Sequence, residues 1–262
     1  MSDDGATATA RDHEVAHLVA SEVAEKLALH RAKMRSGSAT HRTIELEGDR
    51  QGHAWILERL RAERPDDALL SEEGHDDGLR LAESRVWIVD PLDGSSGFGY
   101  GRPEWAVHVA LAVDGAPVVG AVAAPDIGVT ASTHLPPALS DTGRSRPLVI
   151  TGWTRVHSDG ALLAEVLDGD VTACSSAGVK AALVATGRAD VYVHDSPLYE
   201  WDVCAPAAMA LAAGLAVSDS LGEPLVFNAA RPVVDGIVVC RPELKTDVLN
   251  ALEQRRGSDN HW

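Results

Sequence analysis

The chain is poor in sulfur, in positive charge and in long apolar runs. Its three cysteines, Cys174, Cys204 and Cys240, are widely separated, and none stands in a CxxC pair. An odd, scattered set provides neither a disulfide framework nor a thiolate zinc site, and it fits a reducing compartment. Lys and Arg number 23 against 39 acids, a formal net charge of −16 over 262 residues. Nucleic acids and anionic membrane surfaces need their phosphates neutralised by basic residues, so neither is expected as a partner. Trp105–Val113 is typical of the longest apolar stretches, far below the ~20 residues that cross a bilayer. Met1–Ala10 is acidic and small, unlike a basic segment followed by an apolar one. No export signal is read there, and the expected location is cytoplasmic.

What the sequence does have is 45% hydrophobic residues, enough for a substantial core, in a length that makes one large domain or two small ones. Val15, Leu18, Val19, Val23 and Leu27 recur at helical spacing within 12–34, and Gly37, Ser38 and Thr40 end that helix. A second helix is expected from Asp49 to just before Pro65, with Ile56, Leu57 and Leu60 inward. Short apolar or β-branched runs follow at Ala68–Ser71, Val86–Val89, Trp105–Val113 and Val118–Ala123, the last two joined by an Asp114-Gly115 turn. Residues 125–147, with Pro125, Pro136, Pro137 and Pro147, read as the boundary between two halves, 1–137 and 138–262. Beyond it, strands near 148–151, 171–174, 190–194, 215–219 and 236–240 alternate with helices after Ser158 and over 177–187, 202–213 and 242–255. Alternation of this kind layers helices on sheets, a layered α+β or α/β class.

The most informative stretch is Trp87-Ile88-Val89-Asp90-Pro91-Leu92-Asp93-Gly94-Ser95, an apolar strand running into paired acids. Pro91 fixes its own φ and biases Asp90 toward extended geometry, while Gly94 permits a tight turn. Two carboxylates three residues apart across such a bend can converge. At a separation of about 4 Å they repel by roughly 4 kcal/mol at an effective dielectric of 20, so convergence needs a cation or a shared proton. Oxygen ligands without neighbouring Cys or His select Mg²⁺, with Mn²⁺ as substitute, over zinc. Taken singly, Asp-Pro and Asp-Gly are also ordinary turn chemistry. Leu69-Leu70-Ser71-Glu72-Glu73 is a second strand ending in paired acids, alternatively a solvated acidic loop with Asp76 and Asp77. Glu200-Trp201-Asp202 opens an Ala-rich helix in which Asp202 also serves as an N-cap. The amides of Gly94, Ser95 and Ser96 begin a turn or helix able to cradle a phosphate.

In combination these features resemble the inositol monophosphatase superfamily of Mg²⁺-dependent, lithium-sensitive phosphatases. The residues that carry the resemblance are Asp49, Glu72-Glu73, the run from Asp90 to Phe98, and Trp201-Asp202, and the likeness extends from about Asp12 to Arg256. Gly48-Asp49-Arg50-Gln51, Leu70–Asp77, Trp105–His108 and Tyr199–Pro206 look most like its actinobacterial CysQ-type branch. The resemblance implies a five-layered αβαβα sandwich of the sugar phosphatase type, with the site between the halves. Asp49, Glu72, Asp90 and Asp93 would come from the first half, Lys180 and Asp202 from the second. Glu72, Asp90 and the Leu92 carbonyl would hold one Mg²⁺; Asp90, Asp93 and Asp202 a second; Asp49 a weaker third, or the attacking water through Ser95. Glu73 would assist as a base. Li⁺ is the implied inhibitor and a homodimer one implied assembly, although no exposed apolar stripe marks an interface.

For that branch the implied substrate is 3′-phosphoadenosine 5′-phosphate, hydrolysed to AMP. Inositol or sugar phosphates, fructose 1,6-bisphosphate among them, are the alternative, and a non-catalytic phosphate-binding relative a third reading. Substrate contacts would come from Asp93, Gly94, Ser95, Ser96, Lys180, Asp195 and Asp202. Lys180, one of only four lysines, opens the helix after Ser175-Ser176 and is either a phosphate contact or a solvated lysine. Trp153 is either a stacking surface for adenine or an interior residue. This chain departs from the branch in carrying Ser95 for Thr, and Ser96-Gly97 where Arg or Lys then Glu is usual. Gly97–Tyr100 looks closer to the inositol-phosphate branch, where an acid near Asp195 holds ring hydroxyls.

Overall fold

The structure is a computed structural model that describes residues 7–139 and 142–259; parts of the acidic N-terminal stretch and of both expected halves lie outside these residues. Two long helices open the chain, α1 (Ala10–Ser36) and α2 (His41–Glu63). Thr9 caps α1 reciprocally with Asp12, whose carboxylate is also held by Arg64 at 2.6 Å and Arg85 at 3.1 Å. Burial alone would raise that carboxyl, but the Thr9 amide and Arg64 override it and hold it at about 2. One buried acid thus fixes the start of α1 to the end of α2 and to the first sheet.

That sheet contains β1 (Ala68–Ser71), β2 (Arg85–Asp93), then, after the one-turn-and-a-half helix α3 (Ser95–Tyr100), β3 (Ala106–Val113), β4 (Ala116–Ala124) and β5 (Val129–Ser132). The strands lie in sequence order, β1 and β2 parallel, the rest antiparallel. A second sheet is built from β6 (Leu148–Thr151), β7 (Asp170–Ala173) after helix α4 (Ala161–Val166), and β8 (Val191–His194) after helix α5 (Ala177–Ala185). A small ribbon strand, β9 (Leu198–Tyr199), precedes helix α6 (Glu200–Ala212); β10 (Ala216–Ser218), β11 (Val233–Val234), β12 (Ile237–Cys240) and α7 (Lys245–Asp259) follow. The order in this sheet is β10-β12-β8-β6-β7, with β9 and β11 paired apart from it.

Side-chain alternation along β3 explains the layering. Val107, Val109 and Leu111 pack with α1 and α2, while Ala106, Ala110 and Ala112 face α5 and α6. Alanines on the second face let the middle helices approach closely. The opposite side of that helical pair meets Tyr192, Ile237 and Val239 of the second sheet, whose far face is covered by α4 and α7 through Leu163, Val248 and Leu252. The layers are therefore α1/α2, sheet, α5/α6, sheet, α4/α7, the αβαβα sandwich expected.

Several boundaries differ from the sequence reading. The second helix begins at His41, capped by Thr40, whose hydroxyl accepts from the Thr43 amide at 3.1 Å; Asp49 is therefore a mid-helix residue. The Gly/Ser/Thr cluster that ends α1 also starts α2. Residues 129–132, inside the segment read as a boundary, form β5 because Val129 and Ala131 bury against the middle helices. Asp202 is not the N-cap of α6: Tyr199 is, and Asp202 sits at the third helical position, accepting from the Tyr199 amide at 3.2 Å.

At Gly120 in β4, an added Cβ would lie 2.5 Å from the Ala205 carbonyl oxygen and 2.8 Å from Ala208 Cβ. Gly120→Ala should force α6 off the first sheet and destabilise the fold by about 1–3 kcal/mol, read as a lowered midpoint in urea; an unchanged midpoint would contradict this packing.

Candidate metal centre and active-site cleft

The carboxylates of Asp90, Asp93 and Asp202 each bring an oxygen within 4.8 Å of the others. A β-bulge makes this possible. In β2, Val86 and Ile88 face the middle helices while Trp87 and Val89 face α1/α2, so Asp90 falls on the middle-layer side. Strict alternation would then turn Asp93 away. Between Asp90 and Asp93 the register against β3 slips, Asp90 opposite His108 and Asp93 opposite Ala106. The extra residue lets Leu92 enter the α1/α2 core and returns Asp93 to the side of Asp90. Asp90 braces the bend by accepting from the Leu92 amide at 2.9 Å. The third carboxylate comes from the first turn of α6 in the middle layer.

Asp93 Oδ2 is fully engaged: Ser176 Oγ donates to it at 2.5 Å, the Gly178 amide at 2.8 Å, and His108 Nε2 lies 3.1 Å away. Its other oxygen is left to the cluster. His108 belongs to the alanine row of β3, and its Nδ1 lies 3.1 Å from the Trp201 carbonyl oxygen, the residue before Asp202. One buried imidazole therefore bridges the two segments that bring Asp93 and Asp202. Gly178 allows this, because a Cβ there would fall 1.9 Å from His108 Nε2. Burial would raise the Asp93 carboxyl, yet the charge of His108 beside it and the hydrogen bonds from Ser176 and Gly178 hold it below the usual range. Burial would likewise lower His108, and Asp93 raises it.

The remaining acids are frustrated. Asp90 is pushed well above the ordinary carboxylate range by burial and by Glu72, Asp93 and Asp202. Asp202 rises to about 7 through burial and Asp93. Asp49, from the middle of α2, rises to about 7 through burial and the charges of Glu73 and Glu72. Glu72, at the rim, is raised by burial of its carboxyl and by the charges of Glu73 and Asp93. Hard oxygen donors without compensating cations fit a Mg²⁺ or Mn²⁺ site. Protons or divalent cations are the two ways to relieve such a cluster.

Asp93 and Asp202 line a cavity of about 310 Å³ together with Gly152, Trp153, Lys180, Tyr192 and His194. Lys180 is 2% exposed; its Nζ donates to the carbonyls of Cys174 and Ser175 at 3.2 and 3.0 Å and stands 5.0 Å from the Tyr192 ring. The buried Tyr192 hydroxyl has no hydrogen-bond partner among the described residues. Ser95 and Ser96 begin α3 after Gly94, whose φ of 86° is left-handed; no hydrogen bond joins Ser95 to Asp49 among the described residues. Glu73 is exposed beside Asp49. Asp195 turns to α7, where Arg256 Nη1 donates to it at 3.2 Å. His108, Ser176 and Gly178 carried no assigned role in the sequence; the strand parity of His108, facing inward among alanines, is the signal that marks it. Trp153, an interior residue on one reading, is 59% exposed.

A carboxyl raised on folding binds its proton more tightly in the folded chain. With ordinary values of 3.8 and folded values of about 7 for Asp49 and Asp202, their stabilising contribution is present at low pH and lost as pH rises across that window. The metal-free protein should lose thermal stability from pH 5 to 8 and regain it with Mg²⁺. In Asp202→Asn the pH dependence should flatten and the metal response shrink. A metal-free midpoint that rises with pH would contradict this electrostatic picture.

The model of the inositol monophosphatase family matches residues 5–256. The chain is 38% identical over 224 residues to a 3′-phosphoadenosine 5′-phosphate phosphatase from Mycobacterium bovis, covering 80% of this chain and 82% of that protein. It is 35% identical over 194 residues to the 3′(2′),5′-bisphosphate nucleotidase CysQ of Escherichia coli (strain K12), covering 69% and 78%. The solved structure of CysQ from Bacteroides thetaiotaomicron superposes with a TM-score of 0.73 at 25% identity, over 88% of this chain and 97% of that one. With a sandwich of this layering, an acidic cluster at its bulged strand and a family match over nearly its whole length, the chain belongs to the inositol monophosphatase family.

Proposed function

We propose that the protein is a Mg²⁺-dependent phosphomonoesterase that removes the 3′-phosphate of 3′-phosphoadenosine 5′-phosphate to give AMP. The observation that carries the chemistry is the convergence of Asp90, Asp93 and Asp202 within 4.8 Å. The names of the relatives, a phosphatase and a nucleotidase of that substrate class, support the substrate.

Glu72, Asp90 and Asp93, with Asp202, are the residues that would hold two divalent cations, the Leu92 carbonyl completing the first site and Asp49 supporting a third. Such ions lower the pKa of water and neutralise charge on the phosphoryl and leaving oxygens. The chain's own groups do the rest. The Asp93 oxygen fixed by Ser176, Gly178 and His108 keeps the ligand orientation from drifting. The amides at the start of α3 receive phosphoryl oxygens. Where Asp49 does not support a third cation it orients, with Ser95, the attacking water, and Glu73 beside it assists as a base; the water oxygen forms the new P–O bond as the ribose 3′-oxygen departs and takes a proton from solvent. Lys180, backed by two carbonyls, sets positive charge on the far wall of the cavity. The division into halves at 137/138 belongs to the same proposal, since the cluster draws on residues from both sides of it.

With Mg²⁺, the protein should release phosphate from 3′-phosphoadenosine 5′-phosphate faster than from inositol 1-phosphate or fructose 1,6-bisphosphate, and Li⁺ should lower the rate. Equal or inverted preference would transfer the site to inositol or sugar phosphates. Asp93→Asn should reduce turnover by more than about 100-fold with an unchanged circular dichroism spectrum; near-normal turnover would refute the ligand assignment.

A further inference from the structure

Glu72 and Glu73 stand on an exposed turn whose two ends are buried. At the near end Ser71 closes β1, and His53 Nδ1, on α2 one turn past Asp49, lies 2.9 Å from its hydroxyl. At the far end Arg80 is 3% exposed, a place that a guanidinium occupies only when its donors are paired. Its Nε and Nη2 donate to Asp76, three residues beyond Glu73, at 3.1 and 2.8 Å. Its Nη1 donates to the Asn228 side-chain oxygen at 2.7 Å, and Nη2 also reaches the Ala229 carbonyl at 3.0 Å. Asn228 Nδ2 donates back to the Arg80 carbonyl at 3.0 Å.

Asn228 and Ala229 belong to the second half, in the stretch 219–232 between β10 and β11 that forms neither helix nor strand. Irregular segments of such length are uncommon inside a compact fold and usually serve a function. This one is ordered by distant partners. The Phe227 amide donates to the Gly115 carbonyl at 2.9 Å, and the Phe227 ring is buried in the middle layer. The amides of Asn228 and Ala229 donate to the two oxygens of Glu200, each at 2.8 Å. Asn228 has a left-handed φ of 66°, a conformation that Asn adopts more readily than most residues. From it the main chain meets Glu200 while the side chain meets Arg80. Glu200 is fully buried and opens α6 two residues before Asp202. None of Arg80, Asn228 and Glu200 takes part in the proposed chemistry, yet together they form a continuous path from the turn of Glu72 to the helix start of Asp202. The charges at its two ends repel.

We infer that Arg80 and Asn228 are positioning residues of the metal centre: joined through Glu200, they fix the separation between the turn that offers Glu72 and the helix start that offers Asp202. The inference rests on the reading of the acidic cluster as a divalent-cation site and deepens it. Donors already held in place bind a cation more tightly than donors the cation must gather against their own repulsion.

The test is calorimetric titration of the metal-free, full-length protein with Mg²⁺ in wild type, Arg80→Met, Asn228→Gly, the double variant and, as reference, Arg85→Met. Asn228→Gly suits the left-handed φ and keeps the amide that Glu200 accepts, so it removes only the side-chain link to Arg80. Arg85 pairs with Asp67 at the end of β2 remote from Asp90 and Asp93, and its loss should lower the thermal midpoint without changing Mg²⁺ affinity. Arg80→Met and Asn228→Gly should each weaken Mg²⁺ binding about tenfold. The double variant should bind no more weakly than Arg80→Met, because both changes break one link. If Arg80→Met does not fold, Asn228→Gly decides alone. Wild-type affinity in the folded variants, or an equal loss in Arg85→Met, would overturn the inference and leave the metal site standing. Absence of saturable Mg²⁺ binding in wild type would remove the metal reading itself.

Discussion

The structure turns on like charges packed where water is scarce. Asp90, Asp93 and Asp202 each bring a carboxylate oxygen within 4.8 Å of the others, and the charge of Glu72 bears on Asp90 and those of Glu73 and Glu72 on Asp49. A folding chain gains nothing from such an arrangement in itself, since buried carboxylates lose hydration and repel. It persists because the surrounding fold over-determines it: a bulge in a fully buried strand, a helix start packed in the middle layer, and one imidazole tying the two together. A site of this kind trades stability of the empty protein for affinity toward cations.

His108 shows how the sandwich converts packing into function. It occupies one place in a row of alanines on β3, the strand buried on both faces. From there it reaches Asp93 from one side and the Trp201 carbonyl from the other. Removing one oxygen of Asp93 from competition leaves a single oxygen aimed at the cluster, so the bond network selects a direction as well as a charge. Gly120 of β4 lets α6 come close to the sheet, and Gly178 of α5 leaves room for His108 beneath that helix.

Much of this was legible beforehand, and the reasons are local. Apolar periodicity marked α1, the hairpin of β3 and β4, and most of the second half, because those segments bury a regular face. The acidic pair in Asp90-Pro91-Leu92-Asp93 announced itself through its position at the end of an apolar strand. The register slip that makes the pair converge was not legible, since it depends on which strand lies alongside. The start of α2 was hidden because Thr40 serves as a break and a cap at once, and β5 because a four-residue strand in a Pro-rich segment gains its order from β4. Asp202 looked like a cap; the cap is Tyr199, and the acid is three positions further in, where its carboxylate comes close to that of Asp93. Ser176 acquires its role only from a neighbour 83 residues away.

The most direct test of the central claim, that these acids form a divalent-cation site held open by protons, is calorimetric titration of the metal-free protein with Mg²⁺ in two buffers of different ionisation enthalpy. The account predicts saturable binding that releases protons at pH 6 and fewer as pH rises past 7, because the raised carboxyls must ionise to bind. Absence of saturable binding, or binding with no proton release at any pH, would contradict it.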